Sequence, residues 1–85
     1  MNNFPTNPYQ KGTQKHRIFK RLERYGRVKN IDVYCGLGGG KILNGTGRTS
    51  EVRDYLIRHG WCLDCAPVSR ELVPGVWEYT VKQFR

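Results

Sequence analysis

Side chains that could bind a metal ion lie close together in the last third of the chain. His59, Cys62 and Cys65 form an H-x2-C-x2-C sequence, and Cys35 could supply a fourth ligand. Structural zinc sites use four Cys or His ligands, and C-x2-C usually provides one half of such a site. A second complete pair is absent here, and a strand over residues 61–66 would point Cys62 and Cys65 to opposite faces. We therefore predict packed or surface thiols and no metal ligands.

A glycine-rich sequence, GLGGGKILNGTG, covers residues 36–47 and could in principle bind phosphate. A P-loop needs a Ser or Thr hydroxyl directly after its lysine to bind the metal ion. Ile42 follows Lys41 here, and no buried strand clearly leads into the loop. We therefore interpret residues 36–47 as a flexible connection between two helices that could approach a nucleic-acid backbone closely. Ile42 and Leu43 are expected to pack on the core or to form a short strand.

Side chains that could perform catalysis are scattered. His16 and His59 fall on separate predicted helices, and the seven acidic residues lie apart in basic surroundings. A reactive Cys35 would need a positioned base, and no such base is evident. We therefore predict that the protein is not an enzyme and has no cofactor.

Basic residues are concentrated near the N-terminus. The net charge of +8 comes from 15 basic and 7 acidic residues. Residues 1–30 hold eight basic residues against one acidic residue, whereas residues 31–60 carry a net charge of +1 and residues 61–85 of zero. Such a patch indicates a polyanionic partner, nucleic acid first and an acidic protein second. The alternative is a solvated face that only keeps the protein soluble.

Most of this charge falls on a predicted amphipathic helix over residues 13–25, with Thr13 as its N-cap and Gly26 as its stop. Its apolar stripe consists of Ile18, Phe19, Leu22 and Tyr25. The remaining face carries basic side chains that could contact phosphates, namely Lys15, Arg17, Lys20, Arg21 and Arg24. A basic amphipathic helix could also lie on an anionic membrane. So small a domain needs the apolar stripe for its core, which favours the first interpretation.

Length and composition predict one domain. Residues 1–12 mix Asn, Pro, Gln and Gly without a hydrophobic period and are expected to form a flexible arm, which Phe4 and Tyr9 could pin to the domain of residues 13–85. The N-terminal sequence lacks a secretory hydrophobic region, and no apolar run approaches the roughly 20 residues that span a bilayer. Three cysteines, an odd number, fit a reducing compartment. We therefore expect a soluble, cytoplasmic protein.

The sequence RVKNIDVYCGL at residues 27–37 fits two structures. Alternation of Ile31 and Val33 with polar residues suits a strand, whereas Asn30 as a cap suits a short helix. We favour a brief extended segment near Val28 followed by a second helix from about Asn30.

A third amphipathic helix is predicted within residues 48–61, RTSEVRDYLIRHGW. Ser50 or Thr49 can cap it, and Gly60 is the expected left-handed stop. One side should bury Val52, Tyr55, Leu56 and His59. The other side carries Arg53, Asp54, Ile57 and Arg58.

Two strands should follow Gly60. The sequences WCLDCAPV and VWEYTVKQF both have the two-residue period of a strand, and PVSRELVPG between them forms a long hairpin tip. Arg70 is the one basic side chain of the tip and could reach a phosphate.

The string S-x-V-x-x-x-L-x-x-x-G-W at residues 50–61, followed by G-V-W-E-Y-T-V at residues 75–81, resembles the third helix and wing of small winged helix-turn-helix proteins. It looks most like the short members from bacteriophages and mobile elements, which begin with a basic helix like that of residues 13–25. The resemblance covers residues 13–82. The glycine-rich loop departs from the family, which has a tight turn there.

This resemblance implies an α+β winged helix-turn-helix fold with three helices and a C-terminal β-hairpin wing. The third helix would read the major groove of double-stranded DNA, with Arg48, Ser50, Glu51, Arg53 and Asp54 facing it. Phosphates would be contacted by Lys15, Arg17, Lys20, Arg21, Arg24, Arg27 and Arg70. The expected function is a phage or plasmid regulator or accessory factor. The alternative is a small phage-encoded inhibitor of the anti-CRISPR or anti-restriction type, which binds an acidic surface of a host nucleic-acid-processing protein.

Overall fold

Three helices and one antiparallel sheet form the fold in a computed structural model that describes residues 3–69 and 71–84. The elements in chain order are α1 (Gln14–Tyr25), β1 (Arg27–Lys29), α2 (Asn30–Tyr34), α3 (Gly45–Arg58), β2 (Trp61–Ser69) and β3 (Val73–Gln83). The α+β class, the three helices and the C-terminal hairpin predicted from the sequence are confirmed. The prediction of a long hairpin tip over residues 67–75 was wrong, because β2 continues to Ser69 and pairs there with Val73, where β3 begins. In the described part of the chain, no helix is long and apolar enough to cross a membrane.

Helix α1 begins and ends where the sequence predicts. The Thr13 hydroxyl accepts a hydrogen bond from the His16 amide at 3.3 Å, and Gly26 ends the helix with a φ of 75°. The predicted apolar stripe is confirmed for Ile18, Phe19 and Leu22, which are fully buried. The prediction was wrong for Tyr25, whose ring is 59% exposed. Because Tyr25 is the last residue of the helix, its ring lies beside two arginines and not over the core.

The sheet has the strand order β1-β3-β2, with both neighbouring pairs antiparallel. Val28 of β1 lies opposite Tyr79, and Leu63 of β2 lies opposite Val81. The brief extended segment near Val28 and the second helix from Asn30 are therefore confirmed. The long β3 strand joins the two others and places the hairpin next to the helices.

The core lies between the helices and the inner face of this sheet. Its buried residues are Ile18, Phe19, Leu22, Val28, Val33, Ile42, Val52, Leu56, Trp61 and Leu63. His59, predicted to join the buried side of α3, is exposed, and its ring packs against Tyr55 at an interplanar angle of 43° with 4.4 Å between centroids. Because His59 is the C-cap, with a φ of −104°, it no longer follows the helical spacing.

The segment before α1 packs on the core through aromatic rings. The Phe4 ring centroid lies 5.3 Å from that of Phe19 and 5.0 Å from that of Trp61, and Tyr9 also packs against the core. The Trp61 indole N–H donates to the Asn3 carbonyl oxygen at 3.3 Å. Phe4 and Tyr9 thus attach this segment as predicted, whereas its flexibility and the boundary at residue 12 stay predictions.

Helix α3 begins earlier than the sequence predicts. It starts at Gly45, so Thr49 and Ser50 are not its caps, and Thr49 is only 3% exposed inside the helix. A Cβ at Gly45 would lie 3.0 Å from the Val33 Cγ1 atom. The glycine therefore lets the first turn of α3 approach α2 closely, and this tertiary contact outweighs the low helix propensity of glycine. The glycine-rich connection is accordingly shorter, covering residues 35–44.

Only one of the two apolar residues in this connection packs inward. Ile42 is 1% exposed and its amide donates to the Tyr34 carbonyl oxygen at 3.2 Å, whereas Leu43 is 82% exposed. The expectation of a packed residue is confirmed for Ile42 and wrong for Leu43. Neither residue belongs to a strand.

The side chain of Asn30 continues the sheet where β1 ends. Its Oδ1 atom accepts from the Trp77 amide at 2.8 Å, and its Nδ2 atom donates to the Gly75 carbonyl oxygen at 3.0 Å. The N-cap of α2 is Lys29, so the predicted capping role of Asn30 is wrong. The amide group substitutes for a strand backbone and holds the outer part of β3.

Replacing Asn30 with alanine should lower the free energy of unfolding by about 1–2 kcal/mol, because two hydrogen bonds are lost at an exposed site. Urea denaturation would measure this loss, and hydrogen exchange of the Trp77 amide would locate it. Asn44→Ala is the matched control, since Asn44 makes no side-chain capping bond. Unchanged protection of the Trp77 amide in Asn30→Ala would contradict the assignment.

Candidate nucleic-acid interface

A concave surface lies between one flank of α1 and the start of the glycine-rich connection. We call it the basic groove, and its charged lining consists of Lys11, His16, Arg17, Lys20, Arg21 and Arg24. Gly12, Tyr25, Leu37 and Gly38 complete the lining. No acidic residue lines the groove in the described part of the chain. The groove therefore presents five permanent positive charges on one continuous surface.

Helical spacing explains why these side chains share a flank. Arg17, Lys20, Arg21 and Arg24 lie at i, i+3, i+4 and i+7, beside the stripe that α1 buries. Lys20 and Arg24 are exposed and one turn apart. His16 lies one turn before Lys20 and lines the same groove, although it was not among the predicted phosphate contacts. The same helical periodicity identifies it.

Arg17 holds the glycine-rich connection in place. Its Nη1 atom donates to the Gly36 carbonyl oxygen at 2.5 Å and to the Gly40 carbonyl oxygen at 3.0 Å. The Nε atom is buried and has no hydrogen-bond partner. The guanidinium therefore bridges two points of the loop while its charge contributes to the groove. Part of its hydrogen-bonding capacity is committed to the fold and not to a ligand.

Two other predicted DNA contacts, Lys15 and Arg48, form ion pairs with the Glu51 carboxylate. Lys15 Nζ lies 2.8 Å from Glu51 Oε2, and Arg48 Nη1 lies 3.4 Å from Glu51 Oε1. Arg48 Nε also donates to the Gln14 side-chain oxygen at 3.3 Å. The hydrogen bond from Lys15 lowers the pKa of Glu51 below its usual value. Since neither cation lines the basic groove, both are less available to a phosphate than Lys20 and Arg24.

The outward side of α3 is close to neutral. Ser50 and Arg53 border a small pocket against the hairpin, together with Cys65 and Tyr79. Arg53 is exposed and takes part in none of the ion pairs in residues 3–69 and 71–84. Asp54 follows it in the chain and is also exposed. Arg53 is therefore free to contact a ligand, but its surroundings attract a polyanion less strongly than the basic groove.

No protein-family model, curated protein or solved structure matches this chain. The function proposed below therefore depends on the residues and their placement.

Arg27, another predicted phosphate contact, does not line the basic groove. Arg27 is exposed on β1 and borders a second concavity of mixed charge, which it shares with Arg21, Tyr25, Lys29, Asp32 and Glu78. Arg70 lies outside the described residues.

The three cysteines have separate environments. Cys35 and Cys65 are exposed and Cys62 is half-buried, all as free thiols. The Cys62 thiol donates to the Lys82 carbonyl oxygen at 3.4 Å, while Cys65 lies beside Tyr79, whose pKa is raised mainly by burial. Within residues 3–69 and 71–84, no three His, Cys, Asp or Glu side chains are grouped so as to hold a metal ion.

Proposed function

We propose that this protein binds double-stranded DNA, with the basic groove on the phosphate backbone. The observation that carries this proposal is the convergence of five cations on one concave surface that no acidic side chain lines among the described residues. A face kept only for solubility would need no such convergence, because scattered surface charges serve solubility equally well. Like charges on one surface repel one another, and a polyanion relieves that repulsion.

The sheet and helices are compatible with a winged helix-turn-helix arrangement. The strand order β1-β3-β2 and the β2–β3 hairpin after α3 would supply the wing. In such an arrangement α3 would lie in the major groove and Arg53 would reach a base edge. A phage or plasmid regulator or accessory factor is the role that this arrangement would suit.

A second function is supported by the charge on α3. Glu51 is paired with Lys15 and Arg48, and Asp54 is exposed, so the helix that would read bases is only weakly attractive to DNA. The alternative is an inhibitor that places the basic groove on an acidic surface of a host nucleic-acid-processing protein. A pull-down from host lysate, with and without nuclease, distinguishes the two functions, since only a protein partner survives nuclease treatment.

Salt dependence tests the DNA-binding proposal directly. If about five phosphates are neutralised, the logarithm of affinity should fall against the logarithm of salt concentration with a slope of about −4 to −5. Fluorescence anisotropy with a labelled duplex at several salt concentrations measures this slope. Absence of binding at low salt would leave only the inhibitor function.

Single substitutions separate backbone contacts from base contacts. Lys20→Ala and Arg24→Ala should each lower the affinity for all duplex sequences to a similar extent. Each should also reduce the salt slope by about one unit. Arg53→Ala should cost about 1–3 kcal/mol on a preferred duplex selected from a random pool and relax sequence preference there. Lys82→Ala is the control. Lys82 follows Val81 on β3, so its side chain points to the sheet face away from the core, and it does not line the basic groove. Failure to select any preferred duplex would exclude base readout by α3.

A further inference from the structure

An exposed aromatic ring stands at the edge of the basic groove. Tyr25 is 59% exposed, although it ends the helix whose apolar residues form the core. The guanidinium carbons of Arg21 and Arg24 each lie 5.5 Å from its ring centroid. Two cations therefore lie within cation–π distance of the ring, and the exposed part of the side chain is available to a ligand.

Tyr25 also borders both concavities on this side of the molecule. It lines the basic groove together with Lys20 and Arg24, and it lines the adjoining concavity together with Arg27. A phosphate chain that follows the cations from one concavity to the other would pass directly over the ring.

We infer that Tyr25 is a stacking site for an unpaired nucleotide base, with Arg21 and Arg24 binding the neighbouring phosphates. This inference rests on the proposed function and specifies the nucleic acid that the groove prefers. Proteins that bind single strands combine a positively charged groove with aromatic side chains on which bases stack. In a duplex the bases already stack on one another, so an exposed tyrosine offers no comparable contact. The protein should therefore bind a duplex with a single-stranded extension more tightly than a blunt duplex.

Three labelled probes of equal length test this preference: a dT12 strand, a blunt duplex and a duplex carrying a dT6 overhang. Wild-type protein should bind dT12 and the overhang probe. Tyr25→Leu should lose about tenfold in affinity for both, as expected for one lost base stack, and change blunt-duplex affinity less than twofold. Tyr25→Phe should retain wild-type affinity, because the ring and not the hydroxyl supplies the stack.

Tyr34→Leu is the matched control. Tyr34 is 50% exposed and has the Lys41 ammonium 5.5 Å from its ring centroid, but it does not line the basic groove. Its replacement should leave all three affinities unchanged.

The outcomes distinguish this inference from the proposed function. If Tyr25→Leu lost as much affinity for the blunt duplex as for dT12, the stacking site would be overturned. It would also be overturned if Tyr25→Phe bound dT12 as weakly as Tyr25→Leu. Binding of blunt duplex without binding of dT12 would overturn the inference and leave the proposed function intact. Failure of wild-type protein to bind any probe at low salt would overturn both.

Discussion

Replacing Lys20 and Arg24 together with glutamate should lower the affinity for duplex DNA about a hundredfold or more at 150 mM salt. Each phosphate contact contributes about 0.9 to the salt slope, so the loss of two contacts alone accounts for roughly thirtyfold at this salt concentration. The two new carboxylates add repulsion between the groove and the phosphates. The salt slope should fall by about two units. Fluorescence anisotropy over a salt series measures both effects.

The double variant should keep its fold, because Lys20 and Arg24 are exposed and form no ion pair within the described residues. Circular dichroism and thermal unfolding would check this. The control is Arg58→Glu with Lys82→Glu, which changes the net charge equally at two exposed positions outside the groove. Equal loss of affinity in both double variants would show that net charge drives binding and would contradict a specific role for the basic groove.

The sequence correctly predicted the elements whose ends depend on residues that are close together in the chain. Thr13 and Gly26 fix α1 through one capping hydrogen bond and one left-handed residue, both of which depend on neighbours in the chain. The hairpin was equally accessible, since Leu63 and Val81 follow the strand period and face each other across it. These features can be predicted without information about the other elements of the fold.

The start of α3 depended on a contact that the sequence does not reveal. Gly45 and Gly47 are typical of a loop by propensity, and Thr49 and Ser50 are typical of caps. The close approach of Gly45 to Val33 makes this segment helical instead. Helix propensity is worth less than about 1 kcal/mol per residue, so one tight helix–helix contact can overrule it.

The sequence predicted which basic residues belong to α1, but not which of them are paired with other side chains in the folded protein. Helical spacing groups Lys20, Arg21 and Arg24 correctly, and the charge count indicates their importance. The Lys15–Glu51 ion pair and the Arg48–Gln14 hydrogen bond join α1 to α3, so both depend on tertiary packing. The sequence therefore overestimated the number of cations available to a ligand.

The glycine-rich connection needs its glycines at particular positions, and Gly36→Ala should show this with a loss of about 2–5 kcal/mol in the free energy of unfolding. Gly36 has a φ of +98°, which costs a side chain about 1–2 kcal/mol. An added Cβ would also lie 2.5 Å from the Gly39 carbonyl oxygen and closer still to that of Gly40. Relieving this overlap would separate the two carbonyl groups that Arg17 bridges, at a further cost of about 1–3 kcal/mol.

Gly38→Ala separates backbone strain from overlap. Gly38 has a similar φ of +94°, but a Cβ there would meet nothing within 4 Å. It should therefore lose only about 1–2 kcal/mol, or about 4–16 °C in melting temperature for a domain of this size. The overlap at Gly36 should lower the melting temperature of Gly36→Ala by at least about 4 °C more. Differential scanning calorimetry measures both shifts. Because Gly36 and Gly38 have similar positive φ angles, the difference between the two losses measures the close contact of Gly36 with the Gly39 and Gly40 carbonyl oxygens. Equal shifts would mean that the connection moves aside freely, and the basic groove would then lack the fixed wall that Leu37 and Gly38 provide.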